Sequence, residues 1–417
     1  MRTVVLCWKA AVNRRRTQTP SHEADGAARI SDISSLLAPH SPEDFIEAFV
    51  RKERWFAKAP NPRRAESLLP RWMLDRLVAS DVLPPERLFV MRNGVLVEPR
   101  QMRTDDGRLR HEAIESLTTE GVSFVINGID DEVPAIAQLC DSLERRIGHS
   151  TWVNAYATYG TGGALPPHYD DHDVLVVQVH GTKRWFGHGM PISFPIERSP
   201  DGVDFGPPVW EELVAPGDVL YVPRGEVHHT AVEGDLSVHL TFGIEARRGI
   251  DLVSKVVETA TLEPLFREDV TRLAGKEAQR AKERILKERM HALVDGLDLD
   301  AFFATDDADR ALRPLPHLGS SLVTATSIVV PTARRSSFAR RREGDAFEVR
   351  LGGRAYRLTE TEAAVLAYLL EHDRSSLDVL VAALLDLDET AIRDAIVGLT
   401  RVGLVGVEPA SIPRSAR

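Results

Sequence analysis

Residues 152–244 consist of short apolar runs that Gly, Pro and Asp interrupt. The run at 174–177 predicts a fully buried strand that ends at Gly181. Residues 218–222 predict a second strand, and residues 237–244 predict a third. Several short strands at this spacing are typical of an antiparallel sandwich or barrel. A β-structure of this kind is therefore expected in the middle of the chain.

Helical patterns lie on both sides of this β-region. Ser41 followed by Pro42 is a typical helix start. Four apolar residues at helical spacing are expected to turn this helix towards a core: Phe45, Ile46, Phe49 and Val50. Another helix is predicted for residues 133–147, and residues 251–312 return to helix with long charged stretches. The predicted fold class is therefore α+β.

The last part of the chain predicts a separate compact unit, as the length of 417 residues also suggests. Residues 347–358 have the pattern of a β-hairpin. Thr359 and Glu362 then form the capping box of a helix, and a further helix is expected at 389–400. Helices accompanied by such a hairpin resemble a winged-helix domain.

The charge balance limits the partners of this chain. It has 62 acidic residues against 52 Lys and Arg, a formal net charge of -10. Such a chain repels nucleic acid at long range and favours a basic protein or peptide as its partner. Cys7 and Cys140 are too few for a disulfide framework. No apolar run reaches the roughly 20 residues of a membrane span, so we expect a cytoplasmic protein without a membrane partner.

The strongest chemical signal is His168-Tyr169-Asp170, which His228 follows much later in the chain. Residues at i and i+2 of an extended strand project to one face, so an imidazole and a carboxylate can hold one metal ion together. His228 would add a third ligand from another strand. This ligand set leaves positions open for a chelating cosubstrate and O₂, which suits non-haem Fe(II). Taken alone, an H-x-D pair more often reflects surface or core histidines.

Three further histidines lie near this motif. His229 is adjacent to His228, so on a strand it points to the other face and cannot share the metal. His172 has the same parity as the aspartate but lies too far along the chain to be a ligand. His239 is expected to face inward, either beside the site or within the core.

The motif string around these residues is long and ordered. It runs through Asn154-Ala155-Tyr156, residues 165–171, Gln178, Gly181, Lys183, Trp185, residues 216–225, His228 and His239-Leu240-Thr241. This string resembles the JmjC-type cupin oxygenases called ribosomal oxygenases, and the resemblance covers essentially the whole chain after about residue 33. It implies a double-stranded β-helix (cupin/JmjC) barrel, followed by a helical dimerisation region and a C-terminal winged-helix domain.

The resemblance also implies domain boundaries. They are a disordered N-terminal extension at 1–32, a JmjC/cupin catalytic domain at 33–250, a helical dimerisation region at 251–318, a linker at 319–343 and a winged-helix domain at 344–410. Arginines at 334–342 beside a winged helix suggest DNA binding. The third helix of that unit, however, carries few groups that read bases or bind phosphate. A solvated linker is therefore favoured over a nucleic-acid contact.

The resemblance assigns roles residue by residue. The implied iron ligands are His168, Asp170 and His228. Lys183 stands where a basic residue pairs with the far carboxylate of 2-oxoglutarate, and a buried dicarboxylate needs such a fixed cation. The alternative, which is less favoured, is that Lys183 is an ordinary turn lysine after Gly181. Asn154 and Tyr156 match positions that hydrogen-bond the cosubstrate, although a tyrosine here is more often a core aromatic.

One position departs from the family pattern. Gly243 stands where family members often carry a serine that assists the same carboxylate. The loss of one hydrogen bond, worth about 1–2 kcal/mol, predicts weaker cosubstrate binding or a contact supplied by another residue.

The function implied by the resemblance is Fe(II)- and 2-oxoglutarate-dependent hydroxylation, by O₂, of an arginine or histidine side chain of a protein. A ribosomal protein is one such substrate, and a homodimer is the expected assembly. Two alternatives stay open: a non-catalytic metal-binding cupin that acts as a sensor or scaffold, and a hydroxylase of a small peptide or natural product. Lys183, with Asn154 and Tyr156, discriminates against the sensor, because a sensor needs no 2-oxoglutarate clamp.

Overall fold

The computed structural model describes residues 30–79, 83–160, 165–200, 202–313, 323–335, 340–343 and 346–408. The predicted N-terminal extension lies outside the described residues as far as residue 29. Ile30 is buried, and Asp32 forms a capping box at the start of the first helix. Folded structure therefore begins before the predicted boundary at residue 32.

The first part of the chain builds the main sheet and the helices that cover it. Its helices are α1 (Ile33–Leu37), α2 (Pro42–Arg51), α3 (Arg71–Ala79), α4 (Pro99–Met102), α5 (His111–Thr119) and α6 (Pro134–Ile147). Its strands are β1 (Trp55–Ala57), β2 (Leu88–Arg92), β3 (Val95–Leu96), β4 (Ser123–Ile126), β5 (Ser150–Tyr159), β6 (Asp173–Gly187), β7 (Trp210–Val214), β8 (Val219–Val222) and β9 (His228–Glu245).

Helix α2 begins as predicted, because the Ser41 side chain accepts a hydrogen bond from the backbone of Asp44 in a capping box. Phe45 and Phe49 are buried. Val50 is 72% exposed, so the prediction that it faces the core is wrong. Position 50 is rotated by about 100° from position 49 and lies beyond the edge of the apolar stripe.

In the described residues, β1 to β9 form one antiparallel sheet in the order β1-β8-β6-β9-β5-β4-β2-β3, and β7 pairs with the second half of β6. Strand β9 pairs with β5 on one side and β6 on the other. Val153 and Ala155 of β5 belong to the main hydrophobic core, which also contains residues of α1, α2 and α6. Because side chains alternate along a strand, Asn154 and Tyr156 face away from this core.

The prediction that the strand ends at Gly181 is wrong, because β6 continues to Gly187. Its register against β9 shifts between Gln178 and Thr182, and pairing then continues to the end of β6. Gly181 has a φ of 60°, and a Cβ there would lie 1.9 Å from the Leu236 carbonyl oxygen. The glycine therefore marks a β-bulge, and the continued strand carries Lys183.

The chain continues into helices α7 (Gly249–Leu262), α8 (Pro264–Arg267), α9 (Lys276–Asp295) and α10 (Leu299–Asp309). Helices α7, α8 and α9 contain no buried residue. No helix in the described parts of the chain has both the length and the apolarity that a bilayer crossing requires.

The C-terminal unit has a separate hydrophobic core. Its elements are β10 (Ile328–Pro331), β11 (Arg340–Glu343), β12 (Ala346–Leu351), β13 (Arg354–Thr359), α11 (Glu360–His372), β14 (Ser375–Ser376), α12 (Leu377–Ala383), α13 (Glu389–Arg401) and β15 (Val405–Glu408). Strands β12 and β13 form the predicted hairpin, and the predicted capping box of Thr359 and Glu362 is confirmed.

The predicted solvated linker at 319–343 is wrong where the structure describes it. Strand β10 is the middle strand of a sheet with β14 and β15. Arg335 is 2% exposed, and Arg334 lies beside it against helix α6. The reason is that two buried carboxylates on α6, those of Asp141 and Glu144, form ion pairs with these guanidinium groups. Both arginines are thereby withdrawn from any phosphate contact.

Glu144 is the centre of this ionic cluster and is completely buried. Its carboxylate pairs with Arg310 at 2.6 Å, Arg334 at 2.8 Å and Arg335 at 2.5 Å. It also accepts a hydrogen bond of 2.9 Å from the backbone nitrogen of Thr151 on β5. One side chain therefore joins α6, strand β5 and the segment that leads into the C-terminal unit.

We expect Glu144→Gln to lower the free energy of unfolding by about 3–5 kcal/mol, because loss of one partner leaves buried charges uncompensated. Thermal and chemical denaturation followed by circular dichroism measure the change. Lys287→Gln is the matched control, because the Lys287 pair with Glu283 is exposed and should change stability by less than about 1 kcal/mol. Equal stability of Glu144→Gln and the native chain would contradict the expected role of the cluster.

Candidate metal and cosubstrate site

The three strands that meet at the centre of the sheet line one cavity. Asn154 and Tyr156 of β5 stand opposite Thr241 and His239 of β9, and Lys183 lies on β6. Alternation along each strand puts these polar side chains on the face that does not pack against the helices. Alternate residues of these strands fill the hydrophobic core on one face of the sheet, so the polar residues between them form the opposite face.

His168, Asp170 and His228 come together at the edge of this cavity. One potential ligand atom from each lies within 4.8 Å of the other two, and His228 Nε2 is 3.8 Å from Asp170 Oδ2. The sequence expectation placed His168 and Asp170 on a strand. They lie instead in the loop before β6, where His168 and His228 form an isolated antiparallel bridge. Two backbone hydrogen bonds of this bridge, 3.1 and 2.8 Å long, fix the distance between the two histidines.

Backbone carbonyl groups orient both imidazole rings. His168 Nδ1 lies 2.8 Å from the oxygen of Pro166, and His228 Nδ1 lies 3.0 Å from the oxygen of Glu226. A carbonyl only accepts, so each Nδ1 carries the proton in these contacts and each Nε2 keeps its lone pair. This tautomer suits a metal ligand.

The electrostatics of the triad favour a bound cation. Burial and, to a lesser extent, the nearby His168 imidazole lower the pKa of His228 to about 4. Burial alone would raise the pKa of Asp170, but His228 and His168 lower it more, so that it lies below its usual value. The triad therefore offers the neutral imidazole of His228 and the carboxylate of Asp170 near neutral pH.

The cavity has a volume of about 310 Å³. Besides the triad, it is lined by Trp152, Asn154, Tyr156, Leu165, Pro166, Tyr169, His172, Val174, Lys183, Trp185, Arg198, Ser199, His229, Thr230, His239, Thr241 and Gly243. All six of the site residues predicted from the sequence therefore line the same space.

Lys183 is 1% exposed and points into this cavity. Its Nζ donates to Thr158 Oγ1 at 3.2 Å and lies 3.4 Å from His239 Nδ1. No carboxylate of the described residues forms an ion pair with it. Burial lowers the pKa of this ammonium group to about 7. The cavity therefore contains a desolvated cation whose counter-charge the described protein does not supply.

Asn154 and Tyr156 are held in place by their neighbours. Asn154 Oδ1 accepts a hydrogen bond of 3.0 Å from the backbone nitrogen of Gly128. The ring of Tyr156 stacks on His239 at a centroid distance of 4.9 Å. Burial raises the pKa of Tyr156 to about 12, while its hydrogen bond with the Asn154 side chain acts in the opposite direction. Tyr156 is therefore a neutral hydroxyl at the pH of the cell.

The three other histidines have different surroundings. His229 stacks on Phe186 at 4.7 Å and meets His188 at 2.9 Å, so it lies outside the triad, as predicted. His172 packs against Trp152 with tilted rings and is likewise not part of the triad. His239 lies beside Lys183 in the cavity, which decides between the two placements that the sequence left open.

Sequence reasoning missed Thr158 as a neighbour of Lys183. Thr158 accepts the hydrogen bond from the lysine and lies 2.6 Å from Ser123 Oγ on β4. Strand parity was the available signal, because Thr158 follows Asn154 and Tyr156 at the same period of two.

Gly243 lies against a side chain on the neighbouring strand. It pairs directly with Trp152 of β5. A Cβ at position 243 would lie 2.4 Å from the Trp152 ring. The same ring packs against His172 at a centroid distance of 5.0 Å, with the two planes tilted. The indole therefore occupies the space that a serine side chain at 243 would need.

We expect Gly243→Ser to lower the free energy of unfolding by about 1–3 kcal/mol through overpacking against Trp152. Thermal denaturation measures the change. The double variant Trp152→Val with Gly243→Ser is the control, because it removes the clash and should be more stable than the sum of the two single effects predicts. Additive effects in the double variant would show that the indole does not exclude a side chain at 243.

Comparison with known proteins agrees with this geometry. Residues 130–252 match the family model of the JmjC domain. The chain is similar to the bifunctional lysine-specific demethylase and histidyl-hydroxylase NO66 of Drosophila mojavensis, with 27% identity over 240 residues that cover 55% of this chain and 27% of that protein. NO66 of Aedes aegypti is 26% identical over 250 residues, which cover 55% of this chain and 38% of that protein. The chain thus spans well under half the length of these curated relatives.

Solved structures show the same fold. Escherichia coli ycfD matches with a TM-score of 0.52 and 16% identity, covering 88% of this chain and 98% of that chain. The structure of the ribosomal oxygenase YcfD from Escherichia coli in complex with cobalt and 2-oxoglutarate matches with a TM-score of 0.51 and 16% identity, over 88% and 98% of the two chains. The predicted α+β JmjC/cupin fold is confirmed over most of the chain.

Proposed function

We propose, from the premise that this chain carries a JmjC domain, that it is an Fe(II)- and 2-oxoglutarate-dependent hydroxylase. Its substrate is an arginine or histidine side chain of a protein, and a ribosomal protein is one expected target. The observation that carries the proposal is Lys183: a buried cation without a carboxylate partner in the described protein, in the same cavity as the metal triad.

The triad fits iron by the chemistry of its donors. His168 and His228 would bind through Nε2, because their Nδ1 atoms contact backbone carbonyls. Asp170 would provide the charged oxygen. Two imidazoles and one carboxylate on one side of a metal leave the other side open, as non-haem Fe(II) oxygenases require. The carbonyl contacts would keep the rings in a binding orientation before the metal arrives.

The far wall of the cavity fits a dicarboxylate. Lys183 would pair with the carboxylate of 2-oxoglutarate that is remote from the metal, since a buried ammonium group is stabilised by an opposite charge. Thr158 and His239 hold Nζ in place. Tyr156 and Asn154, both on β5, line the same cavity and would hydrogen-bond the cosubstrate.

Bound Fe(II) would supply the oxidative step, in which 2-oxoglutarate and O₂ become succinate and CO₂ while one oxygen atom enters a substrate C–H bond. The protein residues act by position. Trp185, which stacks on the His228 ring at 5.6 Å, would shield the triad from water. Lys183 would fix the position and direction of the cosubstrate relative to the triad.

We also propose that the chain is a homodimer assembled through residues 251–318. Helices α7, α9 and α10 expose many large apolar side chains, including Val253, Val257, Leu262, Ile285, Val294 and Leu299. Apolar surface of this extent is typical of a protein interface. The C-terminal unit at 344–410 would be a winged-helix domain that packs on the catalytic part, since Arg145 of α6 contacts Asp373 at 2.6 Å.

We expect Val257→Glu combined with Leu262→Glu to convert a dimer into a monomer, because both positions are exposed on α7 and would meet a partner. Size-exclusion chromatography with light scattering measures the mass. Ser254→Glu is the control, on the same helix but polar. A monomeric native chain, or a dimer that survives both charges, would contradict the proposed interface.

Anaerobic titration of the purified chain with Fe(II) and 2-oxoglutarate tests the function. We expect a visible metal-to-ligand charge-transfer band that depends on both components. A substrate search with basic ribosomal proteins would then use mass spectrometry to detect the added oxygen. A well-folded chain that gives no band would contradict the oxygenase proposal and favour a metal-binding scaffold cupin.

A further inference from the structure

The loop at the mouth of the cavity is fixed to both segments that carry the triad. This rim loop, residues 190–200, lies in the connection between β6 and β7. Ser199 N donates to Tyr169 O at 3.0 Å, and Tyr169 N donates to Ser199 Oγ at 3.2 Å. Ile192 O would lie 2.8 Å from a Cβ at Gly225, in the turn before His228. The rim loop is therefore a built edge of the site.

The rim loop presents large apolar side chains to solvent. Ile192, Phe194 and Ile196 are 51%, 58% and 63% exposed. Phe194 has a φ of 54°, a left-handed conformation that a bulky residue rarely adopts. The Arg224 guanidinium lies 5.7 Å from the centre of the Phe194 ring, and a group of exposed apolar side chains such as this one marks an interaction surface.

The rim loop also places a positive charge at the cavity wall. Arg198 lines the cavity, forms no hydrogen bond or close ion pair with a described residue, and interacts electrostatically with Asp170. Asp170 is the only acidic residue of the described lining, and the triad uses it. Asp171 is already close to Arg248, at 3.9 Å, and Glu197 does not line the cavity. The mouth is therefore locally positive, although the chain as a whole carries a charge of -10.

We propose that the rim loop docks an extended segment of the protein substrate and that Arg198 pairs with an acidic side chain two positions from the hydroxylated residue. This inference rests on the proposed function and specifies its substrate. In an extended segment, side chains two positions apart point to the same side and are about 7 Å apart. When the target side chain enters the cavity, that neighbour therefore reaches the rim. Phe194 and Ile196 of the rim loop would provide the apolar part of the docking surface.

A carboxylate fits this position better than the alternatives. A lysine or arginine there would meet Arg198 at short range, and the one carboxylate of the described lining, Asp170, belongs to the triad. A neutral side chain would leave the guanidinium unpaired when the peptide excludes water from it. Sequence selectivity therefore comes from the rim, while Lys183 serves the cosubstrate.

The test uses the iron-loaded full chain and a pool of short peptides. Each peptide has a central histidine or arginine, and Asp, Asn or Lys stands two positions before or after it. Mass spectrometry measures the added oxygen and gives relative kcat/KM within the pool. We expect peptides with Asp to react about tenfold faster than those with Lys, the ratio of one charge-assisted contact.

Two variants of Arg198 separate recognition from general damage. Arg198→Glu should reverse the preference in favour of Lys, and Arg198→Gln should remove it. Arg51→Glu, a surface arginine on α2, is the control and should keep the native preference. A native chain indifferent to the flanking charge, a preference that survives Arg198→Glu, or no reaction with any peptide would overturn the inference. If the charge-transfer band with 2-oxoglutarate is present in these cases, the proposed function stands and the inference alone fails.

Discussion

His228→Ala is expected to weaken Fe(II) binding by more than about 100-fold, because the loss of outer contacts to a metal ligand alone costs 10–100-fold. With the ligand itself gone, only His168 and Asp170 remain of the triad. The hydroxylation of any substrate, and the turnover of 2-oxoglutarate to succinate, should fall to background. Anaerobic titration with Fe(II), read by the charge-transfer band in excess 2-oxoglutarate, measures the affinity.

His188→Ala is the matched control for this prediction. His188 follows strand β6 and contacts His229 rather than the triad. Its variant should bind Fe(II) with native affinity. Fe(II) binding that is equally strong in His228→Ala would show that the metal lies elsewhere and would remove the basis of the proposed ligand set.

The sequence was sufficient to predict His168 and Asp170 because their signal is local, whereas His228 lies much further along the chain and was assigned from the order of the motifs. The H-x-D spacing and the run of motifs around it are read directly from neighbouring residues. The extended geometry that the prediction assumed was wrong, since a loop carries His168 and Asp170. What holds them is the backbone bridge between His168 and His228, and no spacing rule specifies a bridge between residues so far apart in the chain.

Contacts between distant segments were beyond sequence reasoning for the same reason. The arginines at 334 and 335 have the composition of a solvated linker, and only the fold brings them to Glu144. From the sequence, glycine at 243 predicts only the loss of one hydrogen bond. In the fold, its strand partner Trp152 fills the space that a side chain there would need. In both cases a residue more than 90 positions away decides the environment, and neither local propensity nor periodicity contains that information.

Lys183→Met is expected to weaken 2-oxoglutarate binding by about 100-fold or more, because truncating one partner of a buried charge pair costs about 2–5 kcal/mol. The same variant should leave the cosubstrate-free protein equally stable or more stable. It replaces a buried cation that has no carboxylate partner among the described residues with an apolar side chain of similar length. Isothermal titration with 2-oxoglutarate and thermal denaturation measure the two effects. A variant that loses stability together with affinity would indicate a structural lysine.

The pH dependence of cosubstrate binding provides an independent test of the same charge. Burial lowers the pKa of Lys183 to about 7, and a dianion binds the protonated form. Below that pH the lysine is already charged, so affinity should be constant. Above it, binding must first restore the proton, so affinity should fall by up to about tenfold per pH unit.

Lys183→Arg stays charged throughout and should lose this dependence. His239 contacts Nζ, but burial lowers its pKa far below 7, so it stays neutral across this range. Native binding that is flat between pH 6 and 9, in roughly the range where the lysine titrates, would contradict the assignment of Lys183 as the cosubstrate cation.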